Sequence, residues 1–242
     1  MLAEGHQQSC LTLAIINDPK TPLAVTADLV LDIQAGSEKA VAATKTYTTE
    51  LMTIAMLSAA LSDNKAHWKE LAKVPAWVEK VLKQDVPIAR MAERYRYMRQ
   101  CVVLGRGFNY CTAFEWALKL KELTYIVAES YSSADFRHGP IAMIECGFPV
   151  MAVAPNGKVF DIMLEMLGNL RHEQSAELVV ISDEKRALSL AQSPIPLPAG
   201  MPEWLTPIVS IVPGQLFAGH LTRAKGYDPE HPRTLFKITE TH

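Results

Sequence analysis

The arrangement of apolar residues constrains this chain most. From residue 101 onward, short runs of Val, Ile and Leu alternate with longer stretches of helical periodicity. The short runs are apolar at successive positions, as is typical of parallel strands buried on both faces. This alternation predicts an α/β fold with doubly wound parallel sheets. The predicted strands cover residues 101–105, 148–155, 176–182 and 195–198, and the predicted helices cover 109–127, 158–173 and 206–224.

The first part of the chain has fewer strands for its length. It offers two apolar runs, 11–18 and 29–35, then a predicted helix over 44–62 and two further amphipathic helices within 65–98. Two parallel strands cannot cover these helices. We therefore expect one incomplete α/β lobe followed by one complete α/β lobe. The expected divisions are 1–98 for the C-terminal part of the first lobe, 99–227 for the second lobe and 228–242 for a C-terminal lid tail.

Composition excludes several classes of function. The 242 residues carry 24 Lys and Arg against 26 Asp and Glu, with no basic stripe, so we expect no nucleic-acid partner. The longest apolar run, 51–61, is too short to cross a bilayer, and residues 1–10 lack a secretory signal. The four cysteines stand far apart without metal-ligand spacing, so we expect a cytoplasmic protein without a metal.

The predicted helix over 109–127 carries charge on one side. Glu115, Lys119 and Glu122 are three and four positions apart, so they share a helix face. One interpretation is a solvated face with an ion pair. The flanking Phe114 and Leu118 favour the other, a buried helix, in which carboxylates beside an ammonium have altered pKa values. A carboxylate base near a cation is what proton abstraction next to a carbonyl requires.

Two loops of the second lobe admit both structural and functional interpretations. His138 precedes Gly-Pro in "SSADFRHGP" (132–140), where it is either a turn residue or a proton shuttle. The "GRG" at 105–107 follows a strand, and the third glycine of a dinucleotide fingerprint is missing, so a tight turn is the better interpretation than a phosphate cradle.

Two segments outside that lobe are also open to both interpretations. In "AVAATKT" (40–46), Thr44 is a candidate N-cap, and the small residues before it would also allow close approach of a ligand. In the tail, Lys237 stands between apolar residues, so it is either solvent-exposed or part of a docked segment.

Four stretches carry a resemblance to a known family. They are "EKAVAATKTYTTEL" (38–51), "VVLGRGFNYCTAFEWALKLKELTYIVAESYSSADFRHGPIAMIE" (102–145), "VAPNGK" (153–158) and "PRTLFKITETH" (232–242). The chain resembles the SIS (sugar isomerase) family. Within it, the chain looks most similar to the isomerase half of glucosamine-6-phosphate synthase and to the glutaminase-free glucosamine-6-phosphate deaminases. The resemblance implies two doubly wound α/β lobes, a sugar-phosphate substrate, no cofactor and a homodimer.

The resemblance also implies roles for individual residues. Glu122 matches the base that moves a proton between C2 and C1 of the open-chain sugar, and Lys119 matches the lysine that supports it. His138 matches a histidine linked to ring opening, which reaches the site from the neighbouring subunit. Lys237 matches the lysine of the C-terminal lid. The implied substrate-binding residues are Val41, Ala43 and Phe236.

The implied activity is deamination of glucosamine-6-phosphate to fructose-6-phosphate and ammonia. The alternatives are the isomerase domain of glutamine–fructose-6-phosphate aminotransferase and a non-catalytic sugar-phosphate-binding module. The family holds the phosphate in a Ser/Thr-rich loop of the first lobe. We expect that loop to lie upstream of residue 1, with roughly 100 residues of the lobe missing from this sequence.

Overall fold

A computed structural model describes residues 2–234 of the chain. Its larger sheet has five parallel strands in the order β4-β3-β5-β6-β7. The order reverses between β3 and β5, as in doubly wound folds. This sheet confirms the predicted α/β class. The strands are β3 (Gln100–Gly105), β4 (Val127–Ser132), β5 (Pro149–Val153), β6 (Glu177–Ser182) and β7 (Ser193–Pro196).

Helices cover both faces of this sheet. On one face, α7 (Tyr110–Thr124) and α11 (Thr206–Ala224) pack over Val103 and Val179. On the other face, α8 (Ser133–Arg137), α9 (Phe160–His172) and α10 (Lys185–Leu188) pack over the alternate strand residues. Since successive strand residues point to opposite faces, burial on both faces explains the continuous apolar runs. Within residues 2–234, no helix combines the length and apolarity needed to span a membrane.

A second, smaller sheet lies in the N-terminal part. It pairs β1 (Leu13–Ile16) with β2 (Leu29–Asp32) in parallel, with α1 (Leu2–Gln7) before β1 and α2 (Pro22–Thr26) between the two strands. The long α3 (Lys45–Leu61) follows. Among the described residues this sheet contains two strands, as the sequence predicted. It leaves Leu29 and Val30 exposed.

Residues 65–94 form three helices, so the prediction of two was wrong. They are α4 (Lys65–Leu71), α5 (Val74–Leu82) and α6 (Asp85–Arg94). Pro75 and Pro87 lie in the first turns of α5 and α6, where proline is tolerated because its missing N–H would be unsatisfied in any case. α5 and α6 pack against α11 and share its core. The division at residue 98 stays a prediction.

The end of α7 also differs from the prediction. The helix was expected to continue to residue 127, but it ends at Thr124 because Tyr125 has a left-handed conformation with φ 58°. The following strand β4 was not predicted. It lies at the sheet edge, and its partly exposed sequence "VAESYS" lacks a continuous apolar run. The predicted loop over 132–140 contains the short helix α8.

The "GRG" segment is a tight turn between β3 and α7. A Cβ atom on Gly105 would lie 2.2 Å from the carbonyl oxygen of Asn109, so only glycine fits there. Gly107 has φ 57°, a left-handed conformation that glycine adopts without strain. Beyond the turn, the Asn109 side chain bonds to Thr206 and Ser210 of α11. These bonds fix the start of α7 against α11.

Candidate active site

The charged face of α7 forms a compact ion cluster. The Lys119 Nζ donates a hydrogen bond of 2.6 Å to Glu122 Oε2 and lies 3.5 Å from Glu115 Oε1. The side chains of Lys119 and Glu115 are only 3% and 7% exposed, whereas that of Glu122 is 26% exposed. The lysine is therefore buried between two carboxylates, and Glu122 is the member of the cluster that solvent or a ligand can reach.

Glu115 titrates in the physiological range. Burial raises its pKa to about 7, the Lys119 ammonium opposes this rise, and the nearby Glu122 adds to it. Glu115 Oε1 has no hydrogen-bond partner among the described residues, since Lys119 meets it at ion-pair distance only. Burial likewise raises the pKa of Tyr47 and Glu50 on α3. The buried end of the cluster therefore lies near α3, in surroundings that disfavour the charged forms of all three groups.

The packing of α7 explains why this face is held in place. Ala113, Trp116 and Leu120 are completely buried against the larger sheet and α11. Phe114 and Leu118 were expected to make the helix apolar all round and so buried; they are instead 52% and 41% exposed. The burial of Lys119 was inferred correctly, but this exposed flank does not account for it.

The segment before α3 holds Val41 and Ala43. The Glu38 carboxylate accepts hydrogen bonds from the backbone N–H groups of Thr44 and Thr46, at 3.2 and 3.0 Å. Thr44 stands at the N-cap position, but its side chain makes no capping bond, so that part of the prediction was wrong. A carboxylate six residues upstream performs the capping that the sequence assigned to Thr44.

Two neighbouring clefts lie beside this segment. One, of about 600 Å³, opens at the C-terminal end of β1, where ligands of parallel sheets bind; it is lined by Asn17, Asp18, Gly36, Ser37, Glu38, Ala43 and Thr46. The other, of about 400 Å³, shares Ser37 and Glu38 with the first; its remaining lining residues are Lys39, Ala40, Lys45, Glu230 and His231. Ala43 therefore lines a cleft that is large enough for a small-molecule ligand.

His138 lies apart from the α7 cluster of its own chain. Glu122 precedes β4 and His138 follows it, so this strand, about 17 Å long, separates the two residues along the sheet. His138 is exposed, just beyond the end of α8. The structure thus brings Glu122 and Lys119 together and leaves His138 beyond the opposite end of β4. Phe236 and Lys237 lie outside the described residues.

Some contributors to the site were missed at the sequence level. The capping role of Glu38 is one, since it depends on a loop conformation that periodicity does not encode. Another is the contact between the end of α7 and the C-terminal segment, where Tyr125 Oη accepts a hydrogen bond of 2.7 Å from the Arg233 N–H. The two residues are 108 positions apart, so no local pattern could reveal it.

Comparison with known proteins gives concordant results. The SIS domain model matches residues 95–224, just over half of the chain. The glutamine–fructose-6-phosphate aminotransferase (isomerizing) of Thermococcus kodakarensis is 39% identical over 234 residues, which are 93% of this chain and 38% of that protein. Its counterpart from Pyrococcus horikoshii is 40% identical over 87% of this chain and 36% of its own length. The chain thus spans less than two fifths of these curated relatives.

Comparison with solved structures leads to the same family. The C-terminal domain of glucosamine-fructose-6-phosphate aminotransferase from Francisella tularensis superposes with a TM-score of 0.88 at 31% identity, over 96% of this chain and 68% of that one. A glucosamine-6-phosphate deaminase from Thermotoga maritima gives a TM-score of 0.75 at 20% identity, over 96% and 67%, and shares the fold. Together with the matched domain, these similarities establish the lineage. The chain belongs to the SIS domain family.

Proposed function

We propose that this protein interconverts the aldose and ketose forms of an amino-sugar phosphate through proton transfer between C2 and C1. One observation carries the proposal: Lys119 is buried between Glu115 and Glu122, with Glu122 alone open to a ligand. A carboxylate base beside a buried cation suits the formation of an enol-type intermediate, because the cation offsets the charge that develops when a C–H proton leaves.

The proposed reaction begins with the open-chain form of glucosamine-6-phosphate. Glu122 removes the C2 proton, Lys119 stabilises the resulting enolamine, and the proton returns at C1. This leaves an imine at C2, which water hydrolyses to the ketone. Glucosamine-6-phosphate and water are thereby converted into fructose-6-phosphate and ammonia. In the reverse direction the same proton transfer makes glucosamine-6-phosphate.

We further propose that the site is completed by a second copy of the chain. The position of His138, beyond the opposite end of β4 from Glu122 of its own chain, supports this. Phe114 and Leu118 expose an apolar strip on α7, one turn from Glu122, that a partner subunit would cover. Val41 and Ala43 would contact the sugar from the cleft at β1. Phe236 and Lys237, in the C-terminal segment, would contact it as a lid.

The two enzyme types in question, the deaminase and the aminotransferase, differ in the direction of this reaction and in the source of its nitrogen. The higher sequence identity to the aminotransferases favours the isomerase half of a glucosamine-6-phosphate-forming enzyme over a separate deaminase. The four free thiols fit a reducing compartment, so we propose a cytoplasmic site of action.

The direct test is turnover by the purified protein and by its Glu122→Gln variant. We expect the wild type to release ammonia and fructose-6-phosphate from glucosamine-6-phosphate. Loss of the base should lower kcat by about 10²- to 10⁴-fold, while binding of the sugar phosphate persists because the amide keeps the shape of the side chain. Glu79→Gln, an exposed Glu on α5 paired with Lys83, is the matched control and should change neither value.

The same assay separates the alternatives. Equal rates for Glu122→Gln and the wild type would refute the base assignment. Binding of glucosamine-6-phosphate without turnover by the wild type would support the non-catalytic binding module instead. Ammonia-dependent synthesis of glucosamine-6-phosphate, at a rate well above its deamination, would support the aminotransferase half.

A further inference from the structure

Three side chains hold the C-terminal segment against the end of α7. The Arg233 guanidinium lies 3.8 Å from the ring centre of Tyr125 and 5.4 Å from that of Tyr227. The two tyrosine rings are 4.9 Å apart in a tilted arrangement. We call Tyr125, Tyr227 and Arg233 the aromatic clamp. The Arg233 N–H adds a hydrogen bond of 2.7 Å to Tyr125 Oη.

The clamp is supported on both sides by local structure. Tyr125 is the left-handed residue that ends α7, and its N–H bonds to the Lys121 carbonyl, so its ring projects from a fixed helix end. Tyr227 follows α11, where its N–H bonds to the Thr222 carbonyl. Asp228 then orders the next turn by accepting bonds from the Glu230 N–H and from His231 Nδ1. The backbones of both tyrosines are therefore held by hydrogen bonds that do not involve Arg233.

The clamp lies between the two parts of the candidate active site. Tyr125 stands three positions after Glu122, within one helical turn of the proposed base. On its other side, Glu230 and His231 line the cleft that also contains Ser37 and Lys39. Residues 227–234 thus contact the Glu122 end of α7 through Tyr227 and Arg233, and between these two residues they line the cleft beside residues 37–45.

We propose that the aromatic clamp positions residues 227–234 relative to Glu122. The inference rests on the proposed function of the α7 cluster. All three are positioning residues, because their side chains hold the backbone of this segment and do not contact the substrate. Small displacements of groups around a reacting centre lower turnover strongly, so a loosened clamp should reduce kcat although the base is intact.

Substitutions at Tyr227 test this without altering α7. Tyr227→Phe keeps the ring that faces Arg233, whereas Tyr227→Ala removes it. We expect Tyr227→Ala to lower kcat about tenfold, with KM changed less, and Tyr227→Phe to match the wild type. Trypsin cleavage after Arg233 should be about tenfold faster in Tyr227→Ala only, because the ring no longer restrains the segment. The thermal midpoints of all three proteins should agree within a few degrees, since the clamp is at the surface.

Several outcomes would overturn the proposal. One is equal trypsin rates for the Ala and Phe variants, which would mean that the ring does not restrain the segment. Another is faster cleavage with unchanged kcat, which would mean that the segment does not influence the site. If the wild type shows no turnover, it is the proposed function that fails, and the trypsin rates alone then decide whether the clamp holds the segment.

Discussion

Lys119 illustrates how one buried cation can organise a site. Its ammonium is almost inaccessible to solvent and is neutralised by carboxylates three and four positions away on the same helix. A buried charge without such partners costs several kcal/mol. Glu122 cannot therefore be considered alone, because the lysine that it binds also contacts Glu115, the more buried of the two carboxylates.

The raised pKa of Glu115 predicts a pH-dependent stability. Its pKa is about 7 in the folded chain against an ordinary value of 4.5, so the folded state favours the protonated form. The stabilisation from this group is complete below about pH 4.5 and is lost as the pH rises through 7. Between pH 5 and pH 8, the free energy of unfolding of Glu115→Gln should fall less than that of the wild type, by up to about 3 kcal/mol.

Urea unfolding at several pH values between 5 and 8 measures this difference. Glu79→Gln serves as the control, since Glu79 is exposed and should leave the pH dependence of the wild type unaltered. If Glu115→Gln followed the wild-type pH dependence as closely as this control does, the ionisation of Glu115 would not be linked to folding.

At the level of elements, the start of α7 determines where its charged face points. The β3–α7 turn brings Gly105 against the Asn109 carbonyl, and Asn109 in turn binds α11 through Thr206 and Ser210. The helix therefore begins at a fixed position and rotation. Every residue of the charged face inherits that rotation, since the helix is regular from Tyr110 to Thr124.

A pair of glycine substitutions tests this element. Gly105→Ala places a Cβ atom 2.2 Å from a backbone oxygen, so we expect it to lower the free energy of unfolding by about 3 kcal/mol or more. Gly219→Ala, inside α11, meets no atom within 4 Å and should raise it by about 0.5–1 kcal/mol. Chemical denaturation of both variants measures the contrast. Similar effects at the two positions would show that the turn tolerates displacement.

Three of the strands that could be predicted from sequence share one property. The strands β3, β5 and β6 are buried on both faces, so an unbroken apolar run marks each of them. The edge strand β4 is partly exposed and carries Glu129 and serines, so its pattern does not differ from that of a loop. In the candidate site, helical spacing placed Glu115, Lys119 and Glu122 on one face, whereas the roles proposed for them rest on the family resemblance. The capping by Glu38 and the contact of Arg233 depend on tertiary structure and could not.

On the scale of the whole molecule, the candidate site is divided between distant parts of the chain. The segment 227–234 contacts the end of α7 and lines one of the clefts beside residues 37–45, whereas His138 lies beyond the far end of β4. A symmetric dimer can complete such a site, because each copy can supply to its partner the residue that lies far from its own site.

Mixing two inactive variants tests this arrangement. In a heterodimer of Glu122→Gln and His138→Ala subunits, one site loses both residues and the other keeps both. If His138 acts across the interface, random reassociation should restore about a quarter of wild-type activity, because half of the dimers then contain one intact site. Activity measured after the subunits are mixed and refolded gives the answer. No recovery, with heterodimers present, would place His138 outside the partner's site.

The ion cluster also has a consequence for how this chain can change over evolution. Its three members occupy positions 115, 119 and 122 of one helix. Each successive residue of an α-helix is rotated by 100° about the helix axis. A single inserted or deleted codon between the turn at Gly105 and Lys119 would rotate Glu122 by that angle relative to the start of the helix. Exchanges of residue type along the same stretch would leave the face in place. This part of the gene is therefore constrained more strictly in length than in composition.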